Sequence, residues 1–248
     1  MIAGQLAVLR QDRTLGAAAD LQAAVTLLQG TRRGETPPML RLYRPEPTVA
    51  FGQRDRRLPG FDEAAEACRR RGFTPLVRRA GGRAAAYHHG CLVVDHIQPD
   101  DDPVIDSQGR FSLLGEVLRR ALEECGVDAR IGELPGEYCP GEHTIHGVAA
   151  GEPDRRVKLI GSAQRVIGTG WLFSSAIIVE DSSPIRGVLS EAYEALDMEW
   201  DPLTAGSAQD LVAEVTVEKV AEAVLDAYSE HTDLAPAAPE LLDESARG

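Results

Sequence analysis

Apolar positions recur along this chain with two periods, and those periods place its elements. Leu15, Ala18, Leu21, Val25 and Leu28 fall on one face at helical spacing; Thr14 can cap that helix and Gly30 ends it after Gln29. A stronger amphipathic helix is predicted over 111–125, with Leu113, Leu114, Val117, Leu118, Ala121 and Leu122 as its apolar face and Gly126 as its stop. A third covers 216–228 through Val217, Val220, Ala221 and Val224. Shorter helices are predicted over 63–71, 185–196 and 207–213. Apolar runs at 39–43, 48–51, 73–78 and 91–97 read as strands, the first two separated by Pro45 and Pro47. Strands and helices follow one another without a regular βαβ rhythm, so the predicted class is α+β.

The segment from 132 to 180 is the least generic. Residues 157–166 and 171–179 read as neighbouring strands, and Gly161 inside the first marks a bulge or the close approach of a ligand. Lys158 alternates with Val157 and Leu159, so it leaves the strand on the other face. Cys139 stands alone in the loop Gly136-Glu137-Tyr138-Cys139-Pro140-Gly141. Reactive cysteines sit in exposed, electropositive places, and a lysine held on a sheet is available to one. The pair Cys139 and Lys158 is therefore the candidate chemistry. The predicted strand 73–78 runs into Arg79-Ala80-Gly81-Gly82-Arg83, whose adjacent glycines either form an ordinary turn or let backbone N–H groups approach a ligand.

Composition narrows the classes. The 248 residues carry 26 basic and 39 acidic side chains, a net charge of −13, which argues against non-specific nucleic-acid binding. Nine arginines against four acids nevertheless lie between Arg54 and Arg83, either as solvated faces or as a rim for an anionic donor or acidic partner. No apolar run approaches the ~20 residues of a membrane span. The first residues lack the charged-then-apolar pattern of an export signal. Four cysteines without paired spacing then read as reduced thiols, Cys91 and Cys125 as core, in a cytoplasmic protein. Cys139, His143 and His146 supply too few local ligands for a zinc site, so no metal is expected. One domain is predicted over 1–231, with a disordered Ala/Pro/Glu-rich tail over 232–248.

Three stretches in order resemble the lipoate–protein ligase and octanoyltransferase family, whose catalytic domain is also similar to that of biotin–protein ligase. They are Pro47-Thr48-Val49-Ala50-Phe51-Gly52-Gln53, then Arg78-Arg79-Ala80-Gly81-Gly82-Arg83 with His88, then Lys158-Leu159-Ile160-Gly161-Ser162-Ala163-Gln164. The resemblance implies a mixed, mainly antiparallel sheet flanked by helices and an acyl pocket lined by the Gly-Gly loop. It puts Lys158 at the family's characteristic lysine. Gly81-Gly82-Arg83 and a cysteine loop before the lysine look more like the cysteine-dependent octanoyltransferases than the ligases.

On that reading Cys139 attacks an octanoyl or lipoyl thioester on an acyl carrier protein, with Lys158 taking the thiol proton. Backbone N–H groups of Gly161, Ser162 and Ala163 are the oxyanion donors. Arg79 and Arg83 hold the donor's phosphate, since arginine forks suit phosphate oxygens, and Gly81, Gly82 and His88 line the pocket. The acceptor is a lipoyl-domain lysine, and no cofactor is needed. The alternatives are an ATP- and Mg-dependent lipoate–protein ligase with Cys139 incidental, and a non-catalytic relative that binds lipoyl domains or acyl carriers.

Overall fold

The computed structural model describes residues 2–238 and Leu241. Its strands are β1 (Gln5–Gln11), β2 (Met39–Tyr43), β3 (Thr48–Phe51), β4 (Thr74–Val77), β5 (Ala85–Tyr87), β6 (Cys91–Pro99), β7 (Asp128–Ile131), β8 (Ile145–Ala149), β9 (Glu152–Ile167), β10 (Gly170–Ile178) and β11 (Asp233–Pro236). Its α-helices are α1 (Ala17–Gly30), α2 (Phe61–Arg70), α3 (Ser107–Glu124), α4 (Ser183–Ala195) and α5 (Val217–Ser229). Eight strands form one sheet in the order β11-β1-β2-β6-β10-β9-β8-β7, and β4-β3-β5 form a second. Only β1 with β2, β1 with β11 and β3 with β4 pair in parallel, so the α+β class and the mainly antiparallel sheet are both as expected.

Strand alternation assigns the faces of the large sheet. On β10, Trp171, Phe173 and Ile177 join the core beneath α3 and α5, with Leu114, Leu118, Val220 and Val224. The intervening Leu172, Ser174, Ala176 and Ile178 face the other way, toward α1 and the small sheet. A further core lies between the small sheet, α2 and α4, around Phe51, Cys68, Leu189 and Tyr193.

A buried polar knot joins α1 to the large sheet. Arg41 of β2 is fully buried and donates to Gln11 Oε1 (2.6 and 2.9 Å), Asp20 Oδ1 (2.8 Å), the Asp20 carbonyl (3.0 Å) and Asp95 Oδ2 (3.0 Å). Two carboxylates beside one guanidinium leave the arginine well compensated, which is what makes its burial tolerable. Burial pushes the Asp95 carboxyl up, with Arg41 opposing it.

Three expectations are corrected. Residues 207–213 form turns, not a helix, because Asp210 Oδ2 accepts from the Ser207 N–H (2.9 Å) and the Ser182 hydroxyl (2.6 Å), side-chain bonds that compete with a helical backbone. Helix α3 begins at Ser107, a turn early, where buried Arg110 donates to the Ile105 carbonyl (3.0 Å) and Gln164 (2.7 Å). The tail expected to be disordered from Thr232 instead supplies β11 on the edge of the sheet; residues 239–240 and 242–248 of that expectation lie outside the described residues.

His96 of β6 is buried against Trp171 and Tyr228, and burial lowers its pKa to about 3. The unfolded chain takes up that proton near its ordinary value of about 6.5, so it binds more protons than the fold at lower pH. Stability should therefore fall by about 1–2 kcal/mol between pH 6.5 and 5, read from urea midpoints, and His96→Gln should flatten that slope.

Candidate active site

Small side chains open a hollow in the middle of the molecule. β9 and β10 place Ala163 opposite Ser174 and Gly161 opposite Ala176, all on the face toward α1 and the small sheet. Two successive small pairs leave space that larger residues would fill. The cavity is about 780 Å³, within the usual range for ligand sites. Leu21 and Val25 of α1, Leu172 and Ile178 of β10, and Leu76 and Tyr87 of the small sheet give it apolar walls. The exposed lining residues Arg79, Gly81, Gly82 and Glu142 mark where it opens. Beyond Ile160 the strand β8 no longer pairs with β9, so residues 161–165 border the cavity along an open strand edge.

Cys139 lies at this opening. Its sulfur accepts from the Arg83 N–H at 3.2 Å and is 3.6 Å from an Arg78 guanidinium nitrogen. The Gly-Gly loop makes that contact possible. Gly82 has φ +99, and a Cβ there would lie 2.3 Å from the Arg78 nitrogen and 2.9 Å from the sulfur. Arg78 also donates to the carbonyls of Gly81 (2.9 Å) and Arg83 (2.8 Å), so one side chain shapes the loop and faces the thiol. The other three cysteines are buried; desolvation pushes Cys68 and Cys91 up to about 12 and raises Cys125. Cys139 is the partly exposed one.

The loop carrying Cys139 is held from below by Lys158. Its ammonium donates to the carbonyls of Tyr138 (3.0 Å) and Cys139 (2.8 Å) and meets Glu137 Oε2 at 2.8 Å. Both charged side chains are buried, at 2% and 0% exposure. Glu137 is itself saturated by the Leu134 N–H (3.2 Å), the Thr144 hydroxyl (2.9 Å) and the Gly141 N–H (3.5 Å). Above, Tyr193 Oη of α4 accepts the Cys139 N–H at 2.8 Å and donates to the Ala84 carbonyl at 3.0 Å. Between these anchors Cys139 adopts φ +44, a left-handed backbone unusual for a residue with a side chain. Three acceptors take the three hydrogens of the ammonium, so Lys158 is placed as a donor that positions the loop.

A family model described as the lipoyl protein ligase A/B catalytic domain matches residues 17–229. The chain belongs to this family. It is similar to the octanoyl-GcvH:protein N-octanoyltransferases of Anoxybacillus flavithermus (30% identical, covering 68% of this chain and 58% of the relative) and Geobacillus kaustophilus (31%, 66% and 55%). The chain thus spans little more than half the length of these relatives. Among solved structures, a lipoate-protein ligase A bound with ATP superposes with a TM-score of 0.70 at 23% identity, covering 98% of this chain and 92% of the other. A Thermoplasma acidophilum protein with bound lipoic acid gives 0.71 at 22%, covering 98% and 93%.

Within this lipoyl ligase-type domain the candidate residues separate. Cys139, Lys158, Arg79, Gly81, Gly82, Gly161, Ser162 and Ala163 all border the cavity. Arg83 does not: its guanidinium turns away to buried Asp55 (3.0 Å), and only its backbone N–H serves the thiol. His88 is also off the cavity, contrary to expectation. Its Nδ1 accepts the Gly90 N–H (2.9 Å) and its Nε2 meets the Asp181 carbonyl (2.9 Å), a satisfied turn residue. His143 stacks on Phe111 and His146 bonds the Gly132 carbonyl, and no described cluster of His, Cys, Asp or Glu is arranged to hold a metal. No described helix is long and apolar enough to cross a membrane.

Glu137, Arg78 and Tyr193 were not singled out from the sequence. One signal was available for Glu137: a lysine on a buried strand needs a counter-charge, and the cysteine loop contains one. Removing that charge in Glu137→Gln should destabilise the protein by about 3–5 kcal/mol in urea titrations, because the ammonium stays buried without compensation. The double variant Glu137→Leu/Lys158→Met should recover much of that loss yet still slow alkylation of Cys139, since the loop has lost its anchor.

Proposed function

We propose that this chain is an acyltransferase that carries an octanoyl or lipoyl group on Cys139 to a lysine of a lipoyl domain. The observation that carries this reading is the thiol itself, at the opening of an apolar cavity with two N–H donors facing its sulfur. The names of the curated relatives supply the acyl group and favour octanoyl-GcvH over an acyl carrier protein as donor. A structural neighbour solved with its E2 lipoyl domain agrees with the acceptor class.

In the first step the Cys139 sulfur attacks the acyl carbonyl. A carbon–sulfur bond forms, the acyl group's bond to its donor breaks, and the thiol's proton leaves with the donor. The oxyanion of the intermediate would find backbone N–H groups along residues 161–163, where the β9 edge is open. In the second step a neutral acceptor amine attacks the thioester, an amide forms, and the amine's proton returns to the cysteine. The acyl group starts and ends in acylated form, so neither ATP nor Mg is required. Arg78 faces the sulfur in both steps, where a donor suits the charge of an attacking or departing thiolate. Lys158 and Glu137 hold the loop that presents it.

Incubation with octanoyl-GcvH and no ATP should give a protein mass increased by one octanoyl group, absent from Cys139→Ser. Arg78→Met should form the adduct about 10–100-fold more slowly with its fold intact, in line with loss of a charged donor at the reacting atom. Pyrophosphate release from ATP and free lipoate that persists in Cys139→Ser would overturn the transferase reading in favour of a ligase.

A further inference from the structure

Four exposed arginines on and beside the Gly-Gly loop have no carboxylate partner among the described residues. Most exposed arginines elsewhere are neutralised: Arg44 by Glu218 (2.7 Å), Arg71 by Glu191 (2.6 Å), Arg120 by Glu230 (2.6 Å) and Arg130 by Asp128 (2.8 Å). With 39 acids for 26 bases, carboxylates are plentiful. Yet Arg54, Arg56, Arg57 and Arg79 are all exposed and form no ion pair among the described residues. Arg13, Arg32 and Arg156 are also exposed without a carboxylate partner among the described residues, but none of the three lines the cavity.

These four side chains belong to one surface. The turn Asp55–Arg57 packs directly on the Gly-Gly loop: a Cβ on Gly52 would lie 1.9 Å from the Gly82 carbonyl oxygen. Gln53 Nε2 donates to the Arg78 carbonyl (2.9 Å), and Asp55 binds Arg83 (3.0 Å). Asp55 is the one carboxylate of this turn and is buried, so it turns inward while its arginine neighbours stay in solvent. Arg79 follows on the loop, and Arg165 of β9 joins it by donating to the Arg79 carbonyl (2.9 Å) with its Nε buried and unpartnered. Glu142 is the exposed acid in the cavity lining.

Unpaired cations kept together in a protein of net charge −13 are charge held in reserve for another molecule. We propose that Arg54, Arg56, Arg57 and Arg79 form the docking surface for an acidic face of the acyl-accepting lipoyl domain, steering its lysine to the opening where Cys139 lies. This inference rests on the transferase reading for the partner's identity, but the surface is defined by charge and not by the thiol. Arginine suits the task because its fork binds carboxylates in a fixed geometry and stays charged at any working pH. The interaction should act mainly on encounter and affinity, and weaken as salt screens it.

The test uses a purified E2 lipoyl domain without its acyl group as the probe and the triple variant Arg54→Glu/Arg56→Glu/Arg57→Glu. None of these three side chains borders the cavity or makes an ion pair among the described residues, so the fold and the thiol should be untouched. Binding is measured directly at low and at high salt. Separately, Cys139 is acylated with a small octanoyl thioester that has no carrier protein. The expected result is affinity for the lipoyl domain reduced about tenfold or more at low salt, a flattened salt dependence, and an unchanged rate of Cys139 acylation. Equal affinity of variant and wild type for the lipoyl domain overturns the docking surface, as does wild-type binding that is insensitive to salt. Failure of the transferase reading looks different: no adduct on Cys139 in either protein, while the arginine-dependent binding remains.

Discussion

The buried pair of Lys158 and Glu137 is the contact on which the site is built. An ammonium inside a protein demands acceptors on every side, and here they are one carboxylate and the carbonyls of Tyr138 and Cys139. The demand runs both ways. Lys158 is fixed on a central strand, so its acceptors must come to it, and the loop is drawn down until Cys139 takes a left-handed backbone. Tyr193 then fixes the same residue from the helix side. The cysteine is not free to swing; two secondary-structure elements and a buried charge place its sulfur.

The hollow before that sulfur arises from what the strands omit. On the face beneath α3 and α5, β10 carries Trp171, Phe173 and Ile177, which pack tightly. On the other face, two positions of β10 are reduced to serine and alanine opposite alanine and glycine of β9. The same two strands thus close one side of the sheet and open the other. α1 covers the opening and contributes Leu21 and Val25 to it, and the Arg41 knot fixes that helix to the sheet. Rigidity around an apolar void is what a site for an alkyl chain requires.

Charge divides the molecule in the same direction. Buried arginines have buried carboxylates or carbonyls, and most surface arginines have carboxylate neighbours. The exception is the stretch beside the Gly-Gly loop, where Asp55 turns inward to Arg83 and its neighbours are left in water. The result is a local positive surface beside the Gly-Gly loop and the cavity opening, on an otherwise acidic protein.

Much of this was legible in the chain. Met39–Tyr43 and Thr48–Phe51 were readable to the residue from apolar runs cut by proline, and the neighbouring strands β9 and β10 from two apolar stretches around a turn. The motif residues Gly81, Gly82, Lys158 and Gly161 announced the family and do border one cavity. What sequence could not supply was anything set by contacts across long separations. β11 is an edge strand and β1 lies just inside it; both have weak patterns and exist because β1 pairs with β11 on one side and β2 on the other. Arg83 and His88 sit in the motif but turn elsewhere, because Asp55 and the Gly90 turn claim their polar atoms first. Local periodicity and residue chemistry determined the elements, the family and the identity of the thiol and the amine. Only the tertiary structure decided that the amine anchors the cysteine loop, because the acceptors it binds are brought to it from another part of the chain.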